Sequence, residues 1–79
     1  MEQTRNLEIG SRIREARTRR AWTLEDLSRF THRAITLSRL ANYENGIRRP
    51  GIEEAEVLAN AFGDVSAAWL FDPRRGETA

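Results

Sequence analysis

The side chains with chemistry to offer in this chain are mostly arginines. Residues 1–49 carry eleven arginines against six acids, a balance of +5, while residues 50–79 carry two against six, a balance of −4. A basic half joined to an acidic half points to a nucleic-acid face. Every basic residue other than His32 is arginine. Exposed guanidinium groups favour planar, two-pronged contact with phosphate and guanine. Arg48 and Arg49 stand together ahead of Pro50-Gly51. Proline stiffens such a turn and lowers the entropy lost when it binds. Just upstream, Glu44 is a lone acid at the end of a predicted helix, followed by Asn45-Gly46. A carboxylate there meets the unfavourable end of the helix dipole and needs a cation.

Other chemistries find little support. His32 is the single histidine and there is no cysteine, so no set of metal ligands forms around it. Glu25 and Asp26 read as helix-start acids, and no serine, histidine and carboxylate fall into a nucleophilic arrangement. The sequence therefore predicts no catalytic site, no metal, no cofactor and no small-molecule ligand. Seventy-nine residues suit one small domain, which buries only roughly 60% of its unfolded surface and must rely on an apolar core. No apolar run approaches the ~20 residues of a membrane span, and the first residues lack the apolar centre of a signal peptide. The expected location is cytoplasmic.

The elements that must position the arginines are helices. Asn6 can cap a first helix from about Leu7 to Arg20, with Ile9, Ile13 and Ala16 on one face. Thr23 is a good N-cap for a short second helix, Leu24 to Phe30, with Glu25 and Asp26 in its first turn. Thr36 caps a third helix, Leu37 to Glu44, which Asn45-Gly46 stops. Ile52, Ala55, Leu58, Ala59 and Phe62 form the stripe of a fourth helix ending at Gly63. Ser66 caps a fifth, Ala67 to Phe71, closed by Asp72-Pro73. The predicted class is all-α: residues 1–6 an N-terminal arm, 7–72 the domain, 73–79 a disordered tail. The second and third helices, joined by a turn, make a helix-turn-helix arrangement.

At this point the chain resembles the Xre/Cro-repressor type of helix-turn-helix regulator of phages and bacteria. The resemblance covers about residues 8–71. It is carried by Ile9-Gly10-Ser11-Arg12-Ile13-Arg14-Glu15-Ala16-Arg17, Trp22-Thr23-Leu24-Glu25-Asp26-Leu27-Ser28, the run from Ile35 to Gly46, Arg48-Arg49-Pro50, and Leu58-Ala59-Asn60-Ala61-Phe62-Gly63. It implies a five-helix, lambda-repressor-like DNA-binding domain and a structural ion pair between Arg17 and Glu44. Two departures stand out. Ser28 replaces a frequent alanine where two helices touch. The turn Thr31-His32-Arg33-Ala34-Ile35-Thr36 is longer than usual and has no glycine, so the register of the first recognition residues depends on how it folds.

A recognition helix reads base edges mainly with its N-terminal residues. Here Ile35, Leu40 and Tyr43 should face the core, leaving Thr36, Leu37, Ser38, Arg39, Ala41 and Asn42 outside. The resemblance implies base reading at Leu37, Ser38 and Asn42. Asparagine suits adenine, serine suits any base, and leucine can pack on a thymine methyl. Arg39 could reach guanine or a phosphate. Expected phosphate contacts are Thr23 and Leu24 at a helix N-terminus, Arg33, Thr36, Arg48 and Arg49.

Trp69, Leu70 and Phe71 cannot all face inward from one short helix, so at least one should meet a partner. The family commonly dimerises through this region, which places two recognition helices on a palindromic operator. Acidic helix four should then lie away from the phosphates. The expected function is a sequence-specific double-stranded DNA-binding regulator, a Cro-like or prophage repressor acting as a homodimer. The alternative is an antitoxin or protein-interaction module of a small operon that binds DNA secondarily.

Overall fold

Ile9, Ile13 and Ala16 recur at helical spacing, and in a computed structural model that describes residues 2–71 all three are fully buried. Around them pack Leu27, Ile35, Leu40, Tyr43, Leu58, Phe62 and Leu70, so every helix contributes to one core. The helices are α1 (Glu2–Arg19), α2 (Leu24–Phe30), α3 (Leu37–Glu44), α4 (Ile52–Phe62) and α5 (Ala67–Phe71), with no strand among the described residues.

The helix starts follow from local chemistry. Thr23 and Asp26 form a reciprocal capping box: the Asp26 amide donates to Thr23 Oγ1 at 3.0 Å, and the Thr23 amide donates to Asp26 Oδ2 at 2.9 Å. Two free amides of α2 are thereby satisfied. Thr36 Oγ1 accepts from the Arg39 amide at 3.2 Å and starts α3. Ser66 Oγ accepts from the Trp69 amide at 3.0 Å and starts α5. The first helix begins earlier than Asn6 suggested. Asn6 lies inside α1, and residues 2–6, read as an arm, continue the helix. An Arg5–Glu8 pair one turn apart, at 3.8 Å, supports it there. The stop at Asp72-Pro73 and the tail 73–79 lie outside the described residues.

Two glycines permit close contact. A Cβ on Gly10 would lie 2.3 Å from the Tyr43 carbonyl oxygen and 2.7 Å from that of Glu44. The absence of a side chain at Gly10 thus lets α1 touch the end of α3. Gly46 takes φ +75°, and a Cβ there would meet Leu7 at 2.6 Å. It ends α3 in a left-handed conformation beneath the first helix.

The long turn folds without glycine by placing two L-residues in the left-handed region, His32 at φ 56° and Arg33 at φ 61°. Hydrogen bonds hold it: His32 N to Arg29 O at 2.8 Å, Arg33 N to Ser28 O at 2.9 Å, and Ala34 N to Thr31 O at 3.1 Å. Ser28 does more than substitute for a small residue. Its buried hydroxyl donates to Ile35 O at 2.8 Å and spans the turn.

One stripe residue is misplaced by periodicity. Ile52, expected in the α4 core face, is 68% exposed. It is the first residue of α4, before the helix reaches the core, and burial begins at Ala55.

Candidate nucleic-acid interface

The recognition face is built on α3. Leu40, Tyr43 and Glu44 face inward, whereas Leu37 and Ser38 are exposed and Asn42 is half-buried. Leu37, at 42% exposed, is an apolar residue in the first turn that the core does not use. Ser38 and Asn42, four residues apart, share one side of α3, and Leu37 lies at the edge of the buried side in the first turn. Thr36 is exposed just before them, its hydroxyl engaged in capping.

Arg48 and Arg49 are both exposed, in the turn between α3 and α4. The Asn42 carbonyl accepts from Ile47 N at 3.0 Å and from Arg48 N at 3.3 Å. The backbone of a proposed reading residue thus fixes the turn that carries the two cations. Pro50 is fully buried and anchors the other end. Arg33 is also exposed, and its ion pair with Glu25, at 3.5 Å, joins two exposed side chains. Such pairs contribute at most about 1 kcal/mol and yield readily to a phosphate. At the start of α2 the capping box occupies the Thr23 and Asp26 amides. The Leu24 and Glu25 amides, at the first two helical positions, have no partner within the helix.

Arg39, expected at a guanine or a phosphate, lies against Tyr43 and Glu54. Its guanidinium carbon lies 6.0 Å from the centre of the Tyr43 ring, and its Nη2 lies 3.8 Å from Glu54 Oε2. The side chain is directed along α3 toward the start of α4. Helix α4 directly follows the Arg48-Arg49 turn, and Glu54 in its first turn lies beside Arg39.

The ion pair that pins α3 is present. Arg17 Nε donates to Glu44 Oε2 at 2.7 Å and Nη2 to Oε1 at 2.9 Å. Arg17 Nη1 also donates to the Trp22 carbonyl at 2.7 Å. The Glu44 side chain is 2% exposed. Hydrogen bonding to Glu44 raises the Arg17 pKa above its ordinary value, against the opposing effect of burial. A second cation, which the resemblance does not imply, joins the pair: Arg14 Nε donates to Glu44 Oε1 at 3.2 Å. Arg14 lies one helical turn before Arg17 on the same face, a spacing visible in the sequence. Arg20, with no sequence signal for its partners, donates to the carbonyls of Ala16 at 2.6 Å and Phe62 at 3.0 Å and pairs with Asp64. It ties the end of α4 to α1, where helix dipoles favour a cation.

At the C-terminal end Leu70 is fully buried, while Trp69 and Phe71 are half-buried. Leu70 is consumed by the core, so it has no surface to offer a second subunit. Arg12 stacks over Trp69 at 4.8 Å.

Among the described residues, five helices with α2 and α3 joined by the turn at residues 31–36, and with α3 beside exposed arginines, define a helix-turn-helix domain. The helix-turn-helix family matches residues 13–70. The chain belongs to this family, of Xre/Cro type, and is a DNA-binding transcriptional regulator. No match was found among curated proteins or solved structures. No helix among the described residues is long and apolar enough to cross a membrane.

Proposed function

We propose that this regulator is a repressor that binds a palindromic operator as a homodimer, with one α3 in each of two successive major grooves. Leu37, Ser38 and Asn42 read bases. Arg48 and Arg49 hold phosphates on one side of the helix, and Arg33, Thr36 and the Thr23-Leu24 helix start hold them on the other. The observation that carries this reading is the exposure of Leu37 beside Ser38 in the first turn of α3. An apolar side chain in the first turn of α3 can pack on a thymine methyl, the apolar feature the major groove offers. Trp69 and Phe71, half-buried at the end of the fold, are the surface available for the second subunit.

The test is binding to duplex DNA from the gene's own upstream region beside scrambled duplex of equal length, at two salt concentrations. Tight binding to the upstream DNA alone, two chains per site, is the expected result. Weak binding, equal for both duplexes and lost with salt, would leave only a basic surface.

A further inference from the structure

Glu54 lies in the first turn of α4, beside Arg39 of α3. Its carboxylate does two things. Oε1 accepts from the Gly51 amide at 2.9 Å and caps α4. Oε2 faces Arg39 Nη2 at 3.8 Å. That separation is an ion pair but too long for a hydrogen bond. The Arg39 Nε is buried with no hydrogen-bond partner. Arg39 is therefore held by charge and by the Tyr43 ring, with one of its donors unsatisfied. Its side chain remains 42% exposed, and it follows directly on Ser38 at the flank of the reading face.

We propose that Glu54 is a restraining residue for Arg39: in the free protein the carboxylate holds the guanidinium off the DNA, and on the operator Arg39 swings to a backbone phosphate. The reading rests on the DNA-binding mode proposed above and adds a group that sets its strength. Three features converge on it. The restraint lacks a hydrogen bond, so release is easy. The orphaned Nε gains a partner on release, because a phosphate oxygen accepts where the free protein offers nothing. The Glu54 carboxylate keeps its role at the α4 cap, so letting go of Arg39 does not unfold the turn that carries Arg48 and Arg49. Phosphate contact at Arg39 would position the domain without itself reading sequence.

The test compares Glu54→Gln, Arg39→Ala and the double variant with the wild-type protein, and uses Glu53→Gln as a charge control. Glutamine at position 54 can still accept from the Gly51 amide, so the cap is kept. Glu53 is exposed one residue away, and its replacement removes the same charge without touching Arg39. Without DNA, nitrogen-15 relaxation of the Arg39 Nε–H should report a restrained side chain in wild type and a mobile one in Glu54→Gln. With operator DNA, Glu54→Gln should bind about 2- to 5-fold more tightly, the worth of releasing a weak ion pair. Arg39→Ala should flatten the salt dependence of wild-type binding by about 0.9 in log–log slope, the loss of one phosphate contact. The double variant should lose the gain. Equal gains from Glu53→Gln and Glu54→Gln, or a gain that survives in the double variant, would overturn the proposal, because the effect would then be bulk charge. An Arg39 signal equally mobile in wild type and Glu54→Gln would overturn it independently of any DNA. Failure of wild-type protein to prefer the upstream duplex would instead overturn the DNA-reading mode, and the role of Arg39 on the operator with it.

Discussion

Arg17 grips Glu44 with two parallel hydrogen bonds, 2.7 and 2.9 Å long, across the junction of the first helix and the recognition helix. The carboxylate it holds sits at a helix C-terminus, where the dipole opposes it, and is almost without solvent. Removing one member of a buried pair leaves the other uncompensated, at about 3–5 kcal/mol. Arg17→Ala should therefore lower stability by about that amount in urea unfolding. Arg14→Ala should cost less than about 1 kcal/mol, because that side chain is 55% exposed and its bonds to Glu44 and Asn45, at 3.2 and 3.4 Å, are longer. Equal losses for the two variants would contradict this division of labour.

Gly10 gives a prediction whose sign runs against helix propensity. In an exposed helix interior, glycine to alanine stabilises by about 1 kcal/mol. Here the new methyl would overlap the Tyr43 and Glu44 carbonyl oxygens, and backbone atoms cannot step aside as a flexible side chain can. Gly10→Ala should destabilise by about 1–3 kcal/mol, read as a lower urea midpoint at unchanged slope. It should also weaken operator binding, since the shift falls on α3. A stabilised variant would mean that α1 and α3 do not touch here.

The turn between α2 and α3 shows what was legible in the sequence and what was not. Thr23 and Thr36 stand one residue ahead of an apolar-periodic run, and the starts of α2 and α3 fall where those caps place them. Asn6 has the same capping chemistry, yet the chain is already helical before it, because a favourable cap does not compel a helix to begin. Ile52 matched the α4 periodicity, but periodicity does not say where along a helix the core starts. The left-handed residues carry little signal: histidine is enriched in that region but is far more often elsewhere, and Arg33 gives no sign of it. The Arg17–Glu44 pair was reachable from the resemblance. The Arg39–Glu54 contact was not, because it depends on how the turn at residues 45–51 brings the start of α4 near Arg39.

Those left-handed residues make the turn itself testable. A non-glycine residue in that region costs roughly 1–2 kcal/mol, offset in part by the greater freedom that glycine brings to the unfolded chain. His32→Gly should raise stability by about 0.5 kcal/mol, and His32→Val, whose β-branched side chain tolerates the region worst, should lower it by more than about 1 kcal/mol. Thermal unfolding of the two variants should move in opposite directions. Movement in the same direction would show that residue 32 does not hold a left-handed conformation in solution.

Asp26 supplies a pH dependence with a definite sign. Hydrogen bonding from the Thr23 amide, with Arg29 assisting, holds its carboxyl below the usual carboxylate value. A depressed folded-state pKa contributes stability that is complete above the unfolded value of about 3.9 and is lost as pH falls through the folded one. A carboxyl-carbon NMR titration should place the Asp26 midpoint below about 3.9. The stability difference between wild type and Asp26→Asn should shrink as the solution is acidified through that window. A midpoint at or above the unfolded value would mean that the capping box is not formed in solution.

The DNA-binding mode separates two kinds of arginine and asparagine variant. Arg48→Ala and Arg49→Ala remove exposed cations from a turn fixed by the Asn42 carbonyl and Pro50. Phosphate contacts carry no sequence information, so each variant should weaken binding to operator and scrambled duplex alike. Each should also flatten the log–log salt slope by about 0.9. Asn42→Ala leaves the charges in place and removes a group suited to adenine. It should relax preference at one base pair of each half-site by about 1–3 kcal/mol, with the salt slope unchanged. Leu37→Ala should act in the same way at a neighbouring thymine. Competition binding with single-base operator variants at several salt concentrations reads both quantities at once. If all four variants weakened every duplex equally, α3 would be a basic anchor, and the reading of bases would have to come from another part of the chain.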